Sequence, residues 1–151
     1  MTLTADRLDP ILQRKLKPCL QGFEWTAVLK RLDVARGKRP SAYERDDPAA
    51  QLRMLTEPWG ELGYFFEADG NRTVSTEAQQ LRAMRSRLSH QGDLGEWEVV
   101  RTYGFVYELL SALEDEEGAL VAGVRGSVLL RYSLGEQNGC FAGRACGGAS
   151  R

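Results

Sequence analysis

Apolar residues recur along most of this chain at intervals of three and four, the spacing of one buried helical face. Leu8, Ile11, Leu12, Leu16 and Leu20 mark a first helix from about Thr4 to Leu20. Pro10 is expected to fit only in its opening turns, and Pro18 to fray or kink its end. Phe23, Trp25, Val28, Leu29 and Leu32 predict a second helix closing near Arg36-Gly37, with the glycine as its C-terminal cap. Residues 37–47 are polar and loop-like.

Asp47-Pro48 then reads as an N-cap followed by proline in the first helical position. Leu52, Leu55, Trp59, Leu62, Phe65 and Phe66 carry this third helix onward, bent at Pro58 and Gly60, to a turn at Ala68-Asp-Gly-Asn-Arg. Ser75 or Thr76 is the expected cap of a fourth helix reaching His90, with Ala78, Leu81, Met84 and Leu88 on its apolar side. Beyond the break at Gln91-Gly92-Asp93, a fifth helix buries Trp97, Val99, Val100, Tyr103, Val106, Leu109, Leu110 and Leu113 and ends in Glu114-Asp-Glu-Glu-Gly118. Helices joined by short loops predict an all-α, up-and-down bundle of about five helices over residues 1–117. Residues 118–151 look different: one or two short strands are allowed before Tyr132, then an irregular, Gly-rich tail.

Composition narrows the functional classes. The 151 residues suit one domain with one core. No apolar run spans a bilayer and the first residues lack a signal peptide's hydrophobic stretch, so the expectation is a cytoplasmic protein without membrane partners. Three cysteines (Cys19, Cys140, Cys146) and one histidine supply neither a disulfide framework nor a convincing zinc site, so neither metal nor cofactor is expected. Cys19 reads as a small buried helix residue.

Charge is distributed in blocks. Residues 80–92 hold 3 Lys/Arg and no acid, between segments 41–79 (3 basic, 8 acidic) and 93–117 (1 basic, 8 acidic). A basic island this small argues against coating a nucleic acid non-specifically and for a focused site taking one or two phosphates. At about 100° per residue, Leu81, Met84 and Leu88 share one sector of the fourth helix. Arg82, Arg85, Ser86, Ser89 and His90 lie on the opposite arc, and Arg87 further round. Arginine offers a forked donor to phosphate oxygens, and histidine exchanges a proton near neutral pH. RNA carries its own nucleophile, the 2′-hydroxyl, so these groups suffice in kind for cleavage. By residue chemistry alone a solvated basic face with a C-terminal histidine is the commoner meaning. The tryptophans (25, 59, 97) fall on apolar stripes and read as core, while Tyr43 is the one aromatic expected to be exposed.

The segment Leu81-Arg-Ala-Met-Arg-Ser-Arg-Leu-Ser-His90 resembles the signature of the HEPN superfamily, an Arg followed by a polar residue and then a His after four to six residues: Arg85, Ser86 and His90. The wider pattern, with Asp47-Pro-Ala-Ala-Gln-Leu-Arg-Met-Leu and Trp59 before it, is similar to the Swt-like HEPN subgroup over about residues 5–113. That resemblance implies a homodimer with two motif helices in one cleft. It also implies metal-independent endoribonuclease activity in a toxin, phage-defence or RNA-processing setting. Arg85 and His90 would be the catalytic pair, Ser86 the supporting polar residue, and Arg82 and Arg87 flanking contacts to RNA phosphates. Most family members carry Asn, Asp or His where Ser86 stands. This departure keeps open a non-catalytic module that binds RNA, a nucleotide or a partner protein such as an antitoxin, and a helical scaffold remains a third reading.

Overall fold

The computed structural model describes residues 2–59, 63–67 and 70–142. Among the described residues six helices follow one another: α1 (Thr2–Leu20), α2 (Thr26–Ala35), α3 (Pro48–Thr56), α4 (Thr73–Gln91), α5 (Glu96–Ala112) and α6 (Glu116–Ala142). From α3 onward each packs on the next in the chain, while α1 and α2 lie against α3. The all-α bundle expected from periodicity is present, with one helix more. Its core joins Leu8, Leu12 and Leu16 of α1, Trp25 and Leu29, Leu52, Met54 and Leu55 of α3, Ala78 and Leu81 of α4, and Leu109 and Leu110 of α5. Each leucine or methionine among them contributes about 1.5–3 kcal/mol on leaving water.

Several expectations need correction. Pro10 sits in the interior of α1, not in its first turns; the buried row Leu8, Ile11, Leu12 and Leu16 on either side offsets the lost backbone bond. Cys19 is exposed, because the buried face of α1 passes through Leu16 and Leu20 instead. The third helix stops at Thr56, since Glu57 precedes Pro58 and takes an extended conformation. Trp59, Phe65 and Phe66 then form a non-helical aromatic cluster, Trp59 stacking on Phe65 at 4.8 Å. Gly60, Leu62, Ala68 and Asp69, assigned above to that helix and its turn, lie outside the described residues. Neither Ser75 nor Thr76 caps α4. The helix begins at Thr73, and the Glu67 carboxylate accepts from the backbone N–H groups of Val74 (3.2 Å) and Ser75 (2.6 Å). Trp97 is half exposed, at the solvent side of the first turn of α5.

The largest difference is α6. Where short strands and an irregular tail were expected, residues 116–142 are helical, and the rest of that segment, 143–151, lies outside the described residues. Glycine normally disfavours a helix by about 1 kcal/mol. Here it lets α5 approach closely: a Cβ on Gly126 would sit 3.1 Å from Tyr103 Cβ, and one on Gly123 3.3 Å from the Tyr107 ring. The helix start also hid inside an acidic run read as an ending. Asp115 accepts from the Gly118 N–H (3.2 Å) and receives a forked bond from Arg7 of α1 at 2.6 and 2.8 Å. Among the described residues no helix is long and apolar enough to cross a membrane.

Candidate active site

The fourth helix is built for two faces. Val74, Ser75, Ala78, Leu81 and Met84 are buried. Gly92, in the left-handed conformation that glycine adopts without strain, ends it by donating to the Leu88 carbonyl at 3.0 Å. Leu88, expected on the buried side, is 40% exposed because the bundle no longer covers that last turn. Arg82, Arg85, Ser86, Ser89 and His90 face α3 across a groove of about 360 Å³ whose other wall is Tyr43, Asp47, Ala49, Ala50 and Arg53.

Their states differ. His90 and Ser86 are exposed on the rim. Ser89 spends its hydroxyl on the Arg85 carbonyl, one turn back, at 3.0 Å. Arg82 donates to Thr56 Oγ1 at 2.7 Å. Arg85 has its guanidinium 3.8 Å from Asp47 Oδ1, a loose pair between side chains about two-fifths exposed. Asp47 is at the same time the N-cap of α3, accepting from the Ala49 N–H at 2.9 Å, as Asp47-Pro48 predicted. Arg87 is not in the groove: it points to α5 and pairs with Glu98.

Beneath the groove lies a buried polar network that the sequence did not reveal. Arg53 donates to Asp33 Oδ1 (2.7 Å), to Glu57 Oε1 (2.8 Å) and to the Tyr43 hydroxyl, which in turn donates to the other Asp33 oxygen. Arg36 pairs with Glu57 from the far side. Hydrogen bonds from Arg53 and Tyr43 hold the Asp33 carboxyl at about 2, well below its ordinary value, against the opposing effect of burial. The Arg53 guanidinium is correspondingly held in its charged form by Asp33 and then Glu57. Burial pushes Glu57 upward, but Arg53 and Arg36 outweigh it. Burial and then the bond to Asp33 raise the Tyr43 phenol. Tyr43 is therefore half-buried and packed against the core, not the exposed loop aromatic expected. The one hint in the sequence was Asp33, four residues after Leu29 on the apolar stripe of α2. With Arg53 neutralised by two carboxylates, the groove's available positive charge is that of Arg82 and Arg85.

With that geometry in place, comparison decides the family: the family model described as Swt1-like HEPN matches residues 1–114. The chain belongs to the Swt1-like HEPN family. No curated protein and no solved structure matches it. The matched HEPN region takes in α1 to α5 and the whole groove, and stops just before α6. Among the described residues of this HEPN protein, no three His, Cys, Asp or Glu side chains converge as a metal site.

Proposed function

We propose that this HEPN protein is a metal-independent endoribonuclease whose groove on the α3–α4 face cuts RNA with Arg85 and His90. The observation that carries the reading is the sharing of one groove by Arg82, Arg85, Ser86 and His90, with Arg85 restrained, among the described residues, only by a loose 3.8 Å pair. In the reaction the RNA 2′-oxygen bonds to the adjacent phosphorus and the bond from phosphorus to the 5′-oxygen breaks. A 2′,3′-cyclic phosphate and a 5′-hydroxyl result. The 2′-hydroxyl proton must go to a base, and the departing 5′-oxygen must receive one from an acid. One imidazole per chain fills one of those roles. A homodimer that faces two grooves together supplies the second imidazole. Arg85 then stabilises the charge growing on the non-bridging phosphate oxygens, and Ser86 donates a hydrogen bond beside it. Arg82 and Arg87 contact flanking phosphates, Arg87 by leaving its part-exposed pair with Glu98. A toxin, defence or RNA-processing role, with an antitoxin-like protein partner, is consistent with a destructive site that needs restraint.

A second reading has its own observation: Asp47 already offers Arg85 an anion, and Ser86 is a short polar group where an amide or acid would reach further. In that reading the groove binds RNA or a nucleotide without cutting. Incubation of purified protein with single-stranded RNA in EDTA separates the two. Cleavage that disappears in Arg85→Ala and His90→Ala, at unchanged helicity, supports the nuclease. Binding without cleavage, weakened by Arg82→Ala and Arg85→Ala, supports the module. Cleavage that persists in both motif variants rules out the groove as the catalytic site.

A further inference from the structure

α6 is apolar on both sides, and the described residues cover only one of them. Around its axis, Gly118, Ala119, Ala122 and Ser133 are buried against the bundle. On the opposite arc stand Leu120, Val124 and Val128, exposed by 66%, 54% and 59%, with Tyr132 at 67%. These four recur every fourth residue, so they form one continuous stripe, bordered on α5 by the half-exposed Tyr107. A helix apolar all round is normally buried all round, and a contiguous exposed apolar strip of this kind marks an interaction surface.

The charges on the same arc say what covers it. Glu117, its side chain 81% exposed, lies at one end of the stripe, and the exposed Arg131 at the other. They sit fourteen residues, four helical turns, apart on the same side of the helix as Leu120 and Val124. A second α6 laid antiparallel across Val124 brings Leu120 against Val128 of the second copy, Val128 against its Leu120, and Val124 against itself. In that register each Glu117 meets the other copy's Arg131. A parallel arrangement would set Glu117 on Glu117 and Arg131 on Arg131, which repel. The stripe is thus complementary to itself in both shape class and charge, the condition for a two-fold interface. The apolar residues supply the affinity, and the end charges fix orientation and register.

We infer that α6 forms an antiparallel, two-fold contact with α6 of a second copy, centred on Val124. This interface is on a different part of the bundle from the α3–α4 groove, because α6 packs on α5, and α5 in turn on α4. It is therefore separate from any pairing of the motif helices and does not rest on the ribonuclease reading. A chain using both contacts joins two different neighbours.

Mass measurement by light scattering and sedimentation, over a concentration series, tests this on the full chain. Val124→Glu puts a charge on the axis without touching the core and is expected to lower the particle mass, to a monomer or to the dimer paired through the motif helices, while helicity is retained. Glu117→Arg alone and Arg131→Glu alone each weaken association at low salt, and the double variant Glu117→Arg/Arg131→Glu recovers it. That recovery separates a contact between copies from loss of the bond between Glu117 and Arg7 within one chain, which the second change cannot restore. A wild-type chain that stays monomeric at every concentration, a Val124→Glu mass equal to wild type, or a double variant no better than the single ones overturns the proposal.

Discussion

Replacing Asp47 separates two duties of one carboxylate. Its oxygen caps α3 through the Ala49 N–H, and its charge stands 3.8 Å from the Arg85 guanidinium. Asparagine keeps a capping oxygen and removes the charge; alanine removes both. Capping residues replaced by alanine cost about 1 kcal/mol, and for a chain of this length that lowers Tm by about 2–4 °C. Asp47→Asn should stay within a degree or so, because Asn and Asp cap about equally well. At 3.8 Å, in the water-like surroundings that two side chains 42% and 41% exposed imply, the charge–charge energy is about 1 kcal/mol. A phosphate binding Arg85 has to overcome that attraction and meets repulsion from the same carboxylate. Asp47→Asn is therefore expected to tighten a short single-stranded RNA about 5-fold at low salt, with the gain shrinking as salt screens the charges. Fluorescence anisotropy against a salt series, beside thermal melts, reads both effects. Unchanged or weaker RNA binding by Asp47→Asn at low salt would refute the claim that Asp47 and phosphate compete for Arg85.

Three further outcomes follow from the packing. Arg53→Met leaves Asp33 buried without its main partner, so the variant should melt well below wild type at pH 7. Because the Asp33 carboxyl is depressed to about 2 from 3.8, its contribution is present above about pH 4 and fades as pH falls toward 2, so the melting difference between wild type and Arg53→Met should narrow across that interval. Glu77 has an oxygen buried without a partner and a carboxyl raised by burial and then by Glu108; Glu77→Gln should raise Tm at neutral pH, with the advantage disappearing on acidification below the ordinary carboxylate range, as thermal melts at both pH values will show. Gly118→Ala would drive a Cβ to 2.2 Å from Asp115 Oδ2 and 2.9 Å from Arg7 Nε, so it should lower stability in denaturant titrations by about 1–2 kcal/mol, the worth of a lost cap and part of an ion pair.

Where local chemistry decides, the sequence was readable. Asp47-Pro48 fixed the start of α3 and Gly92 the end of α4, because caps depend on a residue and its immediate neighbours. The two faces of α4 followed from spacing alone up to Met84. Leu88 and Trp97 were misjudged because apolar spacing predicts which way a side chain points, not whether a neighbouring helix is there to cover it. α6 was missed because its glycines and two apolar faces erase the amphipathic signal, and the close approach that rewards those glycines is a property of α5. The Asp33–Tyr43–Arg53–Glu57 network was hinted at by Asp33 alone, for a related reason: its members come from α2, a loop, α3 and the residue after it, and only the fold assembles them. Of the groove, the residues contributed by α4 were legible together, and the opposite wall was not.

The clasp between Arg7 and Asp115, with Lys15 on Glu114 at 2.8 Å beside it, links positions 108 and 99 residues apart. On a ribosome, the first helix emerges long before either acid exists and must wait, its basic side chains unmatched, while five-sixths of the HEPN region is made. The contact is thus non-local, and the entropy of closing the chain between its two ends must be met before it contributes to stability. The turn that completes it is also the one that launches α6, so a single carboxylate, Asp115, ties the first helix to the start of the last.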